Sequence, residues 1–147
     1  MDYLLSLKIN NMKQEEILQQ VKDGRLSIEE ASTLLKGIED IGYAAIDLSR
    51  QKRNGFPEII YGEGKNIEQL IGIITAMNEH KTAILATRVN AEKGEALSLA
   101  FPEGVYEPLG RTFVLNPIAP KHEHYIAVVT AGTSDIPVAE EAAVTAE

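Results

Sequence analysis

The sequence predicts an α/β protein in two parts: a small mixed α/β domain, then the first strand-loop-helix of a doubly wound, nucleotide-binding type of sheet. Three observations predict this. Helical and strand-length apolar patterns alternate through residues 12–115, as they do in α/β folds. A polar link over 116–124, with Pro117 and Pro120, separates them from the end of the chain. Residues 125–147, YIAVVTAGTSDIPVAEEAAVTAE, then carry an apolar run, a Gly-Thr-Ser-Asp turn and a helix-forming tail.

The first elements are helical. Residues 1–11 read as a flexible extension, because Met12 opens a more regular pattern than Met1. Over 13–22, Ile17, Leu18 and Val21 fall at helical spacing, and Gly24 is placed to stop the helix in a left-handed cap. Ser27-Ile28-Glu29-Glu30 has the S-x-x-E capping-box form. After it Ile28, Ala31, Leu34, Leu35 and Ile38 make one apolar stripe, so the two helices are expected to pack as a hairpin.

Strands and helices then alternate. Residues 43–48 and 58–61 have the length of strands, and Asn66 is placed to cap a helix carrying Ile67, Leu70, Ile71, Ile74 and Met77. A strand is expected over 83–88, a helix over 91–100, and a hairpin through Val105-Tyr106 and residues 112–115. In the closing segment, Ile126–Val129 lacks in/out alternation and reads as a strand buried on both faces of a parallel sheet. Pro137 suits a first helical turn, and residues 139–147 are helix formers. A buried strand needs neighbours and none follows, so the second fold is expected to be truncated and its strand to join another sheet edge. Association into a homo-oligomer is therefore expected.

Composition narrows the function. The formal charge of −8 argues against nucleic-acid binding, which needs a basic surface. That charge is uneven: no Lys or Arg follows Lys121, while Glu123, Asp135, Glu140, Glu141 and Glu147 do, so cationic pockets belong upstream. No apolar run approaches the ~18 residues that span a bilayer, and the start lacks the pattern of a secretory leader; a cytoplasmic protein without membrane partners is expected. With no cysteine in the sequence, disulfides, thiolate metal sites and cysteine nucleophiles are excluded from this chain.

Four stretches could bind an anion. Arg50 and Arg53, three apart, would present both guanidiniums to one side of a helical turn, with Lys52 between them; the same residues fit a solvated basic loop in which Asp47 pairs with an arginine. Gly62-Glu63-Gly64-Lys65-Asn66 lacks Walker spacing and reads as a turn and helix cap, with Lys65 able to touch an anion. Arg88 falls where a parallel strand ends, the usual ligand side of an open α/β sheet. Gly132-Thr133-Ser134-Asp135 offers close backbone approach and hydroxyls, or simply a helix cap at Asp135. His122 and His124 lack a third ligand and His80 reads as a surface residue, so no metal site is expected.

Taken in order, residues 47–58, Gly62-x-Gly64-Lys65, Ala86-Thr87-Arg88 and residues 127–142 resemble the LarB-type nickel-pincer nucleotide biosynthesis proteins. These pyridinium biscarboxylate mononucleotide synthases are related to phosphoribosylaminoimidazole (AIR) carboxylase, and the resemblance runs over about 12–147. It implies an AIR-carboxylase-like second domain, oligomeric assembly and a carboxylase and phosphoanhydride hydrolase. The substrate implied is nicotinate adenine dinucleotide with bicarbonate or carbon dioxide, in the route to the cofactor of lactate racemase. No tightly bound cofactor is implied, and magnesium only in company with the nucleotide. The residues carried over as substrate-binding are Arg50, Arg53, Lys65, Arg88, Thr133, Ser134 and Asp135.

The Gly132–Asp135 turn is one residue shorter than the carboxylase family's G-S-x-S-D. The family's proposed cysteine nucleophile, whose thiolate adds to the pyridinium and makes a ring carbon electron-rich, has no counterpart here. This chain is therefore expected to be inactive alone. Two other readings fit the same residues: a non-catalytic nucleotide-binding or oligomerisation module, and a relative of the AIR carboxylase/mutase of purine biosynthesis.

Overall fold

Two sharp helix stops shape the first part of the chain. They are seen in a computed structural model that describes residues 14–48, 50, 55–119 and 125–146. The expected extension over 1–11, Arg53 and residues 120–124 of the expected link lie outside the described residues. The chain divides between Phe56 and Pro57 into two compact units, with residues on both sides of that link falling in the second.

In the first unit, α1 (Gln14–Lys22) buries Ile17 and ends at Gly24, whose φ of 69° lets two bonds close the helix. Gly24 N–H donates to Val21 O (3.0 Å) and Arg25 N–H to Gln20 O (2.9 Å), the pairing of a Schellman stop. The capping box at Ser27 is complete: Glu30 N–H donates to Ser27 Oγ (3.1 Å) and Ser27 N–H to the Glu30 carboxylate (2.8 Å). Those bonds hold the Glu30 carboxyl below its usual range, the backbone bond from Ser27 first. α2 (Ile28–Lys36) follows and packs on α1 as expected.

The stripe through Ile38 is corrected. Gly37 takes φ 68° and ends α2, so Ile38 opens β1 (Ile38–Asp40), which pairs antiparallel with β2 (Ala45–Asp47) in the register Ile38 to Asp47. Leu48 N–H closes this ribbon onto Gly37 O at 2.9 Å.

The second unit is built on a four-stranded sheet of order β3-β4-β6-β5. β3 (Ile59–Tyr61) runs parallel to β4 (Ile84–Thr87) through the crossover helix α3 (Ile67–Glu79); β4 is antiparallel to β6 (Thr112–Leu115), which pairs with β5 (Val105–Glu107). Leu70, Ile73, Ile74 and Met77 fall three and four residues apart along one face of α3 and are buried, as is Leu97 of α4 (Ala91–Ala100). They share the core with Ile60, Ile84, Ala86, Phe113 and Leu115.

The other sheet face is only half-covered. Leu85 and Val114 are partly buried there, and Ile59 and Tyr61 on the edge strand are exposed. Lys81 and Asn116 take left-handed backbone for local reasons. Lys81 closes the stop of α3, its N–H donating to Asn78 O (2.9 Å), and Asn116 Nδ2 donates to Asn78 Oδ1 (2.8 Å) and Thr82 O (3.2 Å).

The closing segment differs in one respect from the expected buried strand. Thr133–Asp135 form a short 3-10 turn and α5 (Ile136–Ala146) follows with Pro137 in its first turn, but Ile126–Val129 pairs with no described strand. Tyr125 and Val129 are 90% and 89% exposed. An apolar run supplies side chains for a parallel strand, but the ladder has to come from neighbours.

Candidate functional site

The parallel pair β3–β4 fixes which end of the sheet can hold a ligand. α3 and α4 both begin just beyond the carboxyl ends of these strands. Asn66 caps α3, accepting from Gln69 N–H (2.8 Å), and Asn90 caps α4, accepting from Lys93 N–H (3.0 Å). Two helix amino-termini with their positive dipole ends therefore flank one edge, the edge where open α/β sheets bind ligands.

Strand register lays a polar row across that edge. Tyr61 stands opposite Thr87, and Thr112 opposite Glu107. Since Ala86 faces Phe113, continuing that ladder by one residue sets Thr87 opposite Thr112. Tyr61, Thr87, Thr112 and Glu107 thus share the sheet face turned away from the core. Thr112 is fully buried, and its Oγ1 has no hydrogen-bond partner among the described residues. Burying a hydroxyl unpaired costs about 1–3 kcal/mol, so this position carries a cost that packing alone does not explain.

Charge surrounds the row. Arg88 and Arg111 both have left-handed backbone (φ 56° and 53°), and neither has the local side-chain bonds that account for Asn116. The kink at Arg88 drops Val89 into the core and delivers its N–H to Arg111 O at 2.8 Å, tying the two arginine turns together. Strained backbone of this kind costs on the order of 1 kcal/mol or more per residue and concentrates at binding sites.

Beyond β3 the backbone is drawn in tightly. Gly62 N–H donates to Thr87 O (2.8 Å), and a Cβ at Gly62 would lie 2.8 Å from that same oxygen, so only glycine fits. Lys93 Nζ then pins the turn by donating to Gly62 O (2.8 Å) and Glu63 O (3.1 Å). The Tyr61 hydroxyl donates to the Glu63 carboxylate. That bond lowers the Glu63 carboxyl from its ordinary range, helped by the fields of Arg111, Arg88 and Lys93, and raises the Tyr61 phenol. Any stabilisation from Glu63 is present above its ordinary range and is lost as pH falls through its lowered value.

The residues expected from sequence are not all brought together. Arg88 lies on this edge, half-buried, with its Nε 3.2 Å from Glu141 of α5. Lys65, also half-buried, directly precedes the α3 cap, its N–H reaching Gly62 O at 3.3 Å. Thr133, Ser134 and Asp135 are exposed in their 3-10 turn, where Ser134 Oγ donates to Asp135 Oδ1 at 3.4 Å and no side chain caps the turn. Arg50 is exposed in the first unit, and Arg53 lies outside the described residues, as do His122 and His124. Sequence reasoning missed Tyr61, Arg111 and Thr112, which become site residues only through strand register, and Lys93, which reaches the Gly62–Glu63 turn from α4. The sequence profile of the LarB/PurE-like N-terminal domain matches residues 38–117, more than half of the chain and the stretch that contains the whole polar row with Arg88 and Arg111.

The chain belongs to that family. Among relatives, it is 30% identical over 158 aligned positions to the uncharacterized protein MJ0165 of Methanocaldococcus jannaschii, an alignment covering 99% of this chain and 56% of that protein. The chain thus spans little more than half the length of this relative. Its mixed α/β architecture agrees with a LarB/PurE-like domain. Among the described residues, no helix is long and apolar enough to cross a membrane.

Proposed function

We propose that this chain is the amino-terminal part of a nicotinate adenine dinucleotide carboxylase and hydrolase of nickel-pincer cofactor biosynthesis, and that it binds the nucleotide without turning it over. What supports the reading is the coincidence of the family match with the strained arginine edge: residues 38–117 hold Tyr61, Thr87, Arg88, Arg111 and Thr112. A dinucleotide brings phosphate and carboxylate oxygens. Guanidiniums, a hydroxyl and two helix amino-termini are the donors that such oxygens need. Lys65 and the hydroxyls of Thr133 and Ser134 are further donors in this reading, with Asp135 an acceptor for a ligand hydroxyl, and the resemblance adds Arg50 and Arg53 as phosphate ligands.

Turnover needs a nucleophile to make the pyridinium ring electron-rich enough to attack carbon dioxide, and the chain has no cysteine to supply one. The exposed run Ile126–Val129 favours assembly with further copies, in keeping with a homo-oligomer in the cytoplasm. Magnesium would enter with the nucleotide phosphates. Incubated with nicotinate adenine dinucleotide, bicarbonate and magnesium, the chain is expected to give binding heat in a calorimeter but no carboxylated mononucleotide by mass spectrometry. Accumulation of that product would overturn its inactivity, and absence of binding heat would overturn the nucleotide reading.

A further inference from the structure

α5 is attached to the sheet edge through few groups. No residue of the helix is fully buried. Its backbone rests on Gly110, where a Cβ would lie 3.0 Å from Glu141 N and 3.1 Å from Glu140 C, so glycine lets the helix come this close to the β5–β6 turn. From that perch Glu141 reaches Arg88 at 3.2 Å. The carboxylate thereby sits on the guanidinium that projects from the end of the only parallel strand pair among the described residues. One strand away, Thr112 keeps a buried hydroxyl with no hydrogen-bond partner among the described residues. A pair serving only to hold the helix would need neither the unpaired hydroxyl nor the two left-handed arginines.

We propose that Glu141 is the built-in occupant of an oxyanion site formed by Arg88, Arg111 and Thr112, and that a phosphate or carboxylate ligand takes Arg88 by displacing Glu141 together with α5. The inference rests on the functional reading above only for the class of ligand. No residue of the helix is fully buried, so its release uncovers no core side chain, and the site switches from an internal carboxylate to an external one. Gly110 sets the helix position that makes this occupancy possible.

Inorganic phosphate titrated into the full chain tests the proposal. Glu141→Gln is expected to bind phosphate about tenfold more tightly than the unmodified chain, since a charged competitor for Arg88 is removed. Thr112→Val, nearly isosteric and free of the orphaned hydroxyl, is expected to melt at a higher temperature yet bind phosphate several-fold more weakly, a split that a structural role would not give. Hydrogen exchange at the amides of residues 136–146 is expected to quicken when phosphate is added to the unmodified chain. Equal phosphate affinity in Glu141→Gln, unchanged affinity in Thr112→Val, or unchanged or slowed exchange in α5 would each overturn the proposal. If any of these occurs while the unmodified chain still binds the dinucleotide, the displacement is wrong and the functional reading stands.

Discussion

Replacing Phe113 by Ala is expected to remove about 3–5 kcal/mol from the stability of the second unit, measured by chemical denaturation with circular dichroism. Phe113 is fully buried on β6, and its ring lies 6.4 Å from that of Phe101, centroid to centroid, at an angle of 54°. Gly104 is packed so closely that a Cβ there would fall against the Phe113 ring, so no side chain is placed to fill the cavity. A small domain is stable by only about 5–15 kcal/mol in all. Phe113→Ala should therefore leave the unit partly unfolded at mild denaturant concentrations. A cost under about 1 kcal/mol would show that the core is not centred on this ring.

Gly94→Ala is the second, and here two effects of opposite sign compete. In a helix interior Ala is preferred to Gly by about 1 kcal/mol, so propensity alone predicts a gain on α4. Packing predicts a loss, because a Cβ at Gly94 would fall inside the Tyr106 ring. Overpacking of this kind costs about 1–3 kcal/mol and occasionally more, and we expect it to win, with a net loss of about 2 kcal/mol. The damage should also reach the site. The Tyr106 hydroxyl donates to Val89 O (3.1 Å), and Val89 N–H in turn donates to Arg111 O, so moving the ring loosens both arginine turns. A denaturation midpoint that rises in Gly94→Ala would contradict this packing.

What could be read in advance follows from how local each feature is. The Gly24 stop, the Ser27 capping box and the Asn66 cap depend on four or five neighbouring residues, and all three are present in the structure. The end of α2 is hidden in the sequence because Ile38 continues the apolar spacing of Leu34 and Leu35, while the left-handed Gly37 beside it breaks the helix. β1, at three residues, is too short to show a period of its own. Ile126–Val129 has the composition of a buried strand, but burial depends on partner strands elsewhere in the sequence or in another chain.

The candidate site divides in the same way. Arg88 was legible because it follows a strand at the ligand side of a parallel pair. Tyr61 lies far along the chain from the adjacent pair Arg111 and Thr112, and a register across β3, β4 and β6 brings them onto one edge. No spacing rule joins them. The strain at Arg88 and Arg111 was equally hidden, since arginine does not announce left-handed backbone and it is Arg111, not the neighbouring Gly110, that takes it.

In the function proposed above, the carboxyl ends of β3 and β4, with the Arg111 turn beside them, are the edge that takes the nucleotide. Amide and side-chain resonances of the isotopically labelled chain, followed during titration with nicotinate adenine dinucleotide, test it most directly. Saturable shifts are expected at Tyr61, Arg88, Arg111 and Thr112, with the residues of α5 moving at the same ligand concentrations. Shifts confined to other parts of the chain, or none at saturating dinucleotide, would contradict it.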